Sequence, residues 1–375
     1  MIETETAVGS GMKLQCARDD LASTLGIVAR AVSTRTAVQV LLGVLLRTDG
    51  GRLHIAATDM EVSLRGSLDA DIADEGSVVV PGRLLVELSR LLPHAEVTIE
   101  HRAEDGVVHI ESGPASYRLH TYSVEDFPRL PELDLLQTFS IDRVALLDTI
   151  SRVSRSASRD ESRPVLTGIL VRFEGARLVM AATDSYRLSV KETTLDASAP
   201  ELEAIVPARA LAELGRIAAG DSIELGVHEN QVVFSGDGVT LTTRRIDGQF
   251  PNYKQLLPEA FEHDVTLPRA ELLDVVRRVA VMAQRNSPLV LAFEEGQLTI
   301  SAQTQDVGEA RETMPASWSG DPMRIGFNAE FLREGVESVG DDNITIRLIS
   351  PLRPAVLRGE ADDFSYLIMP IRLPG

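Results

Sequence analysis

Cysteine and lysine are scarce in this chain of 375 residues. Cys16 is the only cysteine, so the chain can form neither an internal disulfide nor a cage of thiolate ligands around a metal. The seven histidines are scattered and lack the close spacing of zinc ligands. We therefore expect no metal and no cofactor. Lysine occurs only at Lys13, Lys191 and Lys254, so the rest of the 37 basic residues are arginine.

Long apolar runs are missing as well. No stretch approaches the roughly 20 apolar residues that a membrane span needs, and the first residues lack the basic-then-apolar pattern of a signal peptide. These absences predict a cytosolic protein. Residues 1–11 are acidic, small and without periodicity, which predicts a disordered leader before a folded part that begins at Met12.

Enzyme signatures are also absent. No glycine is followed by lysine, which excludes the phosphate-binding loop of P-loop ATPases, and the motifs GxSxG and HExxH do not occur. Asp59, Glu61 and Asp184 could in principle act as acids in metal or proton chemistry. A Thr-Asp pair at the end of a strand, however, is more typical of a turn or a cap.

Three copies of one pattern follow each other along the chain. An amphipathic helix is predicted at nearly equal intervals, with its apolar residues at helical spacing. The three apolar faces consist of Leu21, Leu25, Val28 and Val32; of Leu146, Ile150, Val153 and Ala157; and of Leu272, Val276, Val279 and Ala283. Strands with alternating apolar residues recur at the same interval, and the first two copies share Ala-Ala-Thr-Asp at 56–59 and 181–184.

A second helix is predicted in each copy. Pro81 and Pro207 suit the beginning of a helix, and Asn328 is a good N-cap in the third copy. The predicted helices cover 18–35, 82–92, 143–163, 208–216, 269–285 and 328–338. Strands make up most of the remaining pattern. The chain is therefore predicted as α+β, with a leader at 1–11 and three tandem domains at 12–135, 136–260 and 261–375.

The formal net charge of −19 argues against tight DNA binding, because such binding requires many basic residues. The arginines nevertheless concentrate on the predicted helices and recur in register between copies. One interpretation is that they decorate solvent-facing surfaces. The other is a weakly positive lining for a partner such as DNA, for which the candidates are Arg30, Arg83, Arg152, Arg155, Arg159, Arg209, Arg278 and Arg285.

Three short segments carry a family resemblance. They are Ala-Thr-Asp-Ser-Tyr-Arg-Leu at 182–188, Asp-Gly-Gln-Phe-Pro-Asn-Tyr at 247–253 and Met-Pro-Ile-Arg-Leu at 369–373. In this order, on a threefold repeat, they make the chain resemble the bacterial DNA polymerase III sliding clamp (beta subunit) over residues 12–375. The resemblance implies a cytoplasmic, nucleoid-associated, non-catalytic processivity factor. Its implied partners are double-stranded DNA, the replicative DNA polymerase, the clamp loader and repair proteins.

The resemblance also implies an assembly. Two chains would meet head to tail and close a ring of six clamp-type domains, each with two helices against antiparallel sheets. A head-to-tail contact generates a ring when its rotation closes. The implied contact sets Tyr117 and Leu119 of one chain near Val281 and Met282 of the other.

The family's partners dock short peptides into an apolar cleft between the second and third domains. The matching positions in this chain are Leu166, Thr183, Tyr186, Arg187, Leu188, Pro251, Leu256, Leu367, Met369, Pro370, Ile371 and Arg372. Methionine suits such an adaptable surface, and Pro370 within an apolar strand predicts an edge strand. The alternative is a buried terminal strand with a core methionine.

The chain departs from some members of the family at three positions. Ser185 and Tyr186 replace Gly-His, and Gln255 replaces arginine, which affects the expected peptide preference. The resemblance adds Arg35 and Arg163 to the DNA-facing residues, although Pro164 and Val165 stand where aromatic neighbours are expected.

Two other functions remain open from the residues alone. One is an enzyme of repeated units with a carboxylate site, for which the sequence offers no second catalytic partner. The other is a repeat interaction protein unrelated to DNA.

Overall fold

The computed structural model describes residues 11–130, 138–199, 201–228, 230–283, 287–305, 308–361 and 363–373. The chain packs into two compact units. The first unit comprises Met1–Arg143 and Arg216–Arg245, and the second comprises Val144–Gly215 and Ile246–Gly375. Apart from Gly11, the predicted leader lies outside the described residues.

A five-stranded antiparallel sheet forms one layer of the first unit. In spatial order its strands are β5 (Asp71–Asp74), β1 (Met12–Ala17), β7 (Glu96–Arg102), β8 (Val107–Ser112) and β9 (Ala115–His120). Buried and exposed side chains alternate along β1, as expected for a sheet with one solvated face. Strands β5 and β9 are the two edges of this sheet.

An eight-stranded antiparallel sheet forms the other layer of the first unit. In spatial order its strands are β10 (Thr138–Asp142), β15 (Ser222–His228), β16 (Gln231–Gly236), β17 (Val239–Arg244), β4 (Val62–Asp69), β3 (Arg52–Thr58), β2 (Gly43–Asp49) and β6 (Ser77–Pro81). Because β17 pairs with β4, the first and second repeats share one continuous sheet.

Two helices pack against each other in the first unit: α1 (Arg18–Val28) and α2 (Gly82–Leu91). The predicted apolar face of α1 is confirmed, because Leu21, Leu25 and Val28 are fully buried. Gly66 in β4 allows α1 to approach the sheet closely, since a Cβ at this position would stand 2.8 Å from the methyl group of Thr24. A short 3-10 helix, Gln39–Leu42, precedes β2.

The second unit also contains an eight-stranded antiparallel sheet. In spatial order its strands are β14 (Leu202–Pro207), β11 (Gly168–Glu174), β12 (Arg177–Thr183), β13 (Arg187–Thr194), β25 (Phe364–Ile368), β24 (Ala355–Arg358), β23 (Asn343–Leu348) and β18 (His263–Pro268). Here β13 pairs with β25, which joins the second repeat to the third. The two shared sheets explain why the second repeat contributes strands to both units.

A four-stranded sheet completes the strands of the second unit: β21 (Gly308–Pro315), β20 (Gln297–Thr304), β19 (Leu289–Glu294) and β22 (Met323–Phe327). Helices α6 (Arg269–Ala280) and α7 (Ala329–Ser338) pack against each other and share a large apolar core with the sheets. The predicted N-cap of α7 is confirmed, because Asn328 Oδ1 accepts a hydrogen bond from Phe331 N at 3.0 Å.

The helices of the second repeat are α3 (Arg143–Val153), the single-turn α4 (Pro164–Thr167) and α5 (Ala208–Ile217). No described helix combines the length and apolar character needed to cross a membrane.

The first helix of each repeat is shorter than the sequence pattern predicts. Helix α1 gives way to a 3-10 turn at Ala29–Ala31, and α3 gives way to one at Ser154–Ser156. The prediction of one helix over 143–163 is therefore wrong, and Arg159 lies in the following loop. Serines at 154, 156 and 158 favour local hydrogen bonds over continuation of a helix. Helix α6 likewise ends at Ala280, short of the predicted 285.

Candidate functional site

A tight turn in the second unit connects β12 to β13. Thr183 Oγ1 donates a hydrogen bond to Arg187 O at 2.7 Å. Asp184 Oδ1 accepts from the backbone N–H groups of Tyr186 at 2.9 Å and Arg187 at 3.0 Å. Ser185 adopts a φ of 80°, in the left-handed region. The Asp184 carboxylate is therefore an integral part of this turn.

The same turn recurs between β3 and β4 of the first unit. Thr58 Oγ1 donates to Val62 O at 3.2 Å, and Asp59 Oδ1 accepts from the N–H groups of Glu61 and Val62. Met60 has a φ of 77°. The interpretation of both Thr-Asp pairs as turns is confirmed. In each pair the two side chains form hydrogen bonds with backbone N–H and C=O groups at the point where the chain reverses.

Directly beyond the turn of the second unit, the eight-stranded sheet carries a buried apolar cluster. Its members are Leu170, Val179, Ala181, Leu188, Val190, Ile205, Phe250, Tyr253, Val356 and Leu367. Leu188 lies opposite Leu367 in the β13–β25 pair, on one face of the sheet. Arg187, Tyr366 and Ile368 occupy the opposite face, because successive side chains of a strand alternate. The segment that carries Phe250 and Tyr253 packs on the apolar face.

Exposed apolar side chains lie at this end of the sheet. The predicted cleft residues Tyr186 and Met369 are 62% and 42% exposed, and Met369 N donates to Tyr186 O at 2.9 Å. Leu256, on the segment that follows Tyr253, is 49% exposed. Leu352 is also exposed, in the loop between β23 and β24. This loop is close to Met369, because Ala355 pairs with Ile368.

The sequence reasoning missed Leu352. A run of Ser-Pro-Leu-Arg-Pro at 350–354 predicts a loop. Only the pairing of β24 with β25 brings that loop to the end of the sheet that carries Met369. Leu352 therefore joins the candidate cleft residues.

The last residues of the chain depart from the prediction of an edge strand. Strand β25 ends at Ile368 and lies between β13 and β24, so it is a central strand. Pro370 follows the strand, where its missing N–H costs no ladder hydrogen bond. Ile371 N then donates to Gly326 O at 2.7 Å, which anchors the terminal segment beside β22.

The predicted cleft residues fall into three groups by exposure. Pro251 and Arg372 are exposed together with the three apolar side chains described above, whereas Leu166, Pro370 and Ile371 are partly buried. Thr183, Arg187, Leu188 and Leu367 are buried. Leu188 and Leu367 belong to the apolar cluster, and Thr183 holds the turn.

Arg187 is held by a buried polar network behind the turn. Its Nε donates to Asp184 Oδ2 at 3.0 Å, and its Nη1 pairs with Glu334 of α7. The guanidinium carbon lies 4.2 Å from the centre of the Phe331 ring, within cation–π range. Tyr366 donates to Phe331 O at 2.8 Å, and burial raises the pKa of this phenol, so it stays protonated.

The candidate DNA-facing arginines of the first unit, Arg30, Arg35 and Arg83, are all exposed. In the second unit Arg155, Arg159, Arg163, Arg209 and Arg278 are exposed. Arg152 is the exception, because only 20% of its side chain is exposed and its Nε pairs with Asp148 at 2.9 Å. Arg285 lies outside the described residues.

Arg163 is part of the surroundings of the cleft turn. Its Nη1 donates to Ser185 Oγ at 3.0 Å, and its Nε pairs with Asp160 at 3.1 Å. The hydrogen bond to Ser185 places it beside the residue that departs from the family pattern. Arg163, predicted to face DNA, therefore also contacts the turn between β12 and β13.

The residues implied in dimer contact lie at an edge strand and at a helix end. Tyr117 is partly buried and Leu119 is buried on the inner face of β9, the edge strand of the five-stranded sheet. Val281 is 75% exposed directly after α6, and Met282 is partly buried.

Comparison with known families decides among the functions left open above. Three family models match in order along the chain: the N-terminal domain of the DNA polymerase III beta subunit at 12–131, its central domain at 140–252 and its C-terminal domain at 254–372. The chain belongs to the DNA polymerase III beta subunit family. Members of this family are sliding clamps without catalytic activity, so the carboxylate-enzyme hypothesis is excluded.

Other beta subunits resemble the chain over nearly its whole length. The beta sliding clamp of Streptomyces coelicolor is 36% identical over 97% of this chain and 100% of its own. The crystal structure of the Bacillus subtilis sliding clamp has a TM-score of 0.93 and 25% identity, over 97% and 100% of the two chains. The sliding clamp of Pseudomonas aeruginosa bound to griselimycin has a TM-score of 0.89 and 27% identity, with the same coverage.

Proposed function

We propose that this beta subunit works as a homodimeric ring of six clamp domains that encircles duplex DNA and tethers the replicative polymerase. The clamp loader and repair proteins dock at the same cleft as the polymerase. The three domains of each chain extend over 12–135, 136–260 and 261–375. Tethering raises processivity because it keeps the local concentration of polymerase at the DNA high.

The observation that carries the partner site is the group of exposed apolar side chains around the cleft turn. Tyr186, Leu352 and Met369 lie exposed at one end of a sheet whose adjacent face is apolar and buried, and Leu256 is exposed on the segment that packs on that face. Exposed apolar side chains that gather in this way mark interaction sites. An adaptable methionine and a tyrosine are typical anchors for peptides of varied sequence.

The first unit provides an internal comparison. Arg244 N donates to Glu61 O at 3.3 Å, as Met369 N does to Tyr186 O in the second unit. A buried apolar cluster that includes Ala56, Val79 and Phe127 lies nearby, as Ala181, Ile205 and Phe250 do in the second unit. The turn, however, carries the charged Glu61 beside the exposed Met60, and Arg244 is charged where Met369 is apolar. The repeat therefore builds two similar frames, and the one in the second unit has fewer charges beside its exposed apolar side chains.

The exposed arginines support a weak grip on DNA. Phosphate contacts of arginine are independent of base sequence and provide non-specific affinity. A chain with a net charge of −19 repels DNA elsewhere on its surface. This combination suits a ring that is retained by closure and not by tight binding.

The first test is peptide binding at the cleft. We expect a labelled peptide with a Gln- and Leu/Phe-rich clamp-binding motif to bind saturably. Met369→Ala and Tyr186→Ala should each weaken it about tenfold or more, the cost of removing a central anchor. Fluorescence anisotropy measures the affinity. Point substitutions are preferable to removing 371–375, because Ile371 also bridges to β22.

Leu91→Ala in α2 is the matched control, because Leu91 is 77% exposed and lies in the first unit. It should leave the affinity unchanged. Loss of binding in all three variants would point to a general effect on the fold. Wild-type affinity in both cleft variants would show that the peptide binds elsewhere.

A further inference from the structure

Several arginines on the helix side of the second unit are already occupied by carboxylates of the same chain. Glu337 of α7 accepts a hydrogen bond from Arg277 Nη2 of α6 at 2.9 Å. The same carboxylate pairs with Arg155, in the 3-10 turn after α3. One glutamate therefore bridges arginines from two other elements. Burial would raise the pKa of Glu337, but the hydrogen bonds from these arginines lower it, so it stays ionised.

Glu312 of β21 holds Arg278 in a bidentate pair. Arg278 Nε lies 2.9 Å from Oε1 and 3.2 Å from Oε2, and Nη2 lies 2.6 Å from Oε2. These hydrogen bonds from Arg278 hold the pKa of Glu312 below its usual range. Both ends of the guanidinium fork therefore point at one carboxylate.

This is the geometry in which a guanidinium group binds a phosphate. The fork of N–H donors fits a carboxylate and a phosphate equally well. A DNA phosphate that binds the Nε and Nη2 edge of Arg278 must take the place of Glu312. We propose that Glu312 and Glu337 are built-in competitors of the DNA backbone that set how firmly the closed clamp grips DNA. This inference rests on the proposed function and adds the residues that limit DNA contact.

The exposure of the Arg278–Glu312 pair allows such an exchange, whereas Glu337, whose side chain is 16% exposed, is less accessible. The side chains of Arg278 and Glu312 are 58% and 33% exposed, and exposed ion pairs contribute little to stability. The buried pair of Arg187 with Glu334 has no such access. When a phosphate replaces the carboxylate on an arginine, one ion pair is lost as another forms. The net gain in binding free energy for DNA is therefore small. DNA contacts then form and break easily, which permits sliding.

The test compares wild type with Glu312→Gln and with the double variant E312Q/E337Q. We expect tighter association with a short duplex in fluorescence anisotropy. The slope of log affinity against log salt should steepen by about 1 for each arginine released in each chain. On circular DNA, the loaded variant should diffuse more slowly in single-molecule tracking.

Glu330→Gln is the matched control, because Glu330 is exposed in the first turn of α7 and its replacement removes the same charge. It should leave the salt slope unchanged. Adding Arg278→Gln to Glu312→Gln should return the slope to the wild-type value or below it. If Glu337→Gln loosens α7, the single Glu312→Gln variant still tests the inference.

Two failures are distinguishable. If wild type is retained on circular DNA and lost from linear DNA, but E312Q matches its salt slope, the competitor role is wrong and the clamp function stands. If wild type is not retained on circular DNA at all, the proposed function itself is wrong.

Discussion

The charged side chain of Arg187 is buried in the second unit, whereas that of the preceding residue, Tyr186, is exposed. The two residues point to opposite faces because side chains alternate along β13. Arg187 is 6% exposed and is surrounded by Asp184, Glu334 and the ring of Phe331. We therefore expect any contribution of Arg187 to partner binding to be indirect, through the position of the turn and of α7.

Replacing Arg187 should test this role. We expect Arg187→Ala to lower the free energy of unfolding by about 3–5 kcal/mol, because Glu334 would be left buried and unpaired. Adding Glu334→Gln should recover part of the loss. Thermal and denaturant unfolding measure both effects. Arg311→Ala, at an exposed position of β21, should cost no more than about 0.5 kcal/mol.

The opposite outcome would be informative. A stable Arg187→Ala variant that loses peptide binding would assign Arg187 to the cleft itself, against its burial in the structure.

At the level of single residues, the resemblance predicts the members of the cleft but not their exposure. Tyr186 and Met369 were predicted and are exposed. Leu188 and Leu367 were predicted alongside them, yet they form the buried cluster, because both point to the covered face of the sheet. Leu352 was missed, since its position depends on the pairing of β24 with β25, for which the sequence has no local signal.

For the helices and strands, too, some features were predicted from the sequence and others were not. Apolar spacing correctly predicted the helices because Leu21, Leu146 and Leu272 all point into cores. The end of the first helix in each repeat was predicted too late. In the first repeat the reason is that Val32 continues the apolar spacing after the backbone has left α1. Periodicity reports which residues are buried, and an extended residue that follows a helix can be buried on the same side. The sharing of sheets between repeats had no local signal in the sequence.

The five-stranded sheet of the first unit contains a group that is sensitive to mild acid. Burial lowers the pKa of His101 in β7 below its usual 6.5. Its Nδ1 is buried and lacks a hydrogen-bond partner among the described residues. The neutral imidazole is therefore the form that the folded sheet accommodates.

We expect the sheet to lose stability as the pH falls below about 6.5. The unfolded chain binds a proton on His101 more readily than the folded chain does. The stability of the sheet is therefore highest above pH 6.5 and decreases as the pH falls toward the lowered pKa of His101. This loss of stability can be measured by hydrogen exchange of β1, β7 and β8 between pH 7.5 and 5.5, roughly one pH unit either side of 6.5.

His101→Gln should flatten this pH dependence, because glutamine does not titrate. His120→Gln serves as the control, since His120 is exposed on β9 of the same sheet. An unchanged pH dependence in the His101→Gln variant would assign the acid sensitivity to other groups.

On the scale of the whole molecule, the repeat leaves strands that can pair further. Strand β9 is an edge of the five-stranded sheet, and β21 is an edge of the four-stranded sheet. Open edges of this kind attract another strand unless they are covered. A second copy of the chain would cover both, because a head-to-tail arrangement sets the edge of one unit against the end of the other.

The dimer can be tested at Val281 because this side chain is already 75% exposed in the single chain. We expect wild type at micromolar concentration to have twice the chain mass of 40.7 kDa in native mass measurement. Val281→Asp should shift the protein to the single-chain mass without unfolding it, since it buries a charge only in the dimer. Leu91→Asp, at an equally exposed helix end, should remain dimeric. Wild type at the single-chain mass would contradict the ring, whereas a dimeric Val281→Asp variant would move the contact away from the end of α6.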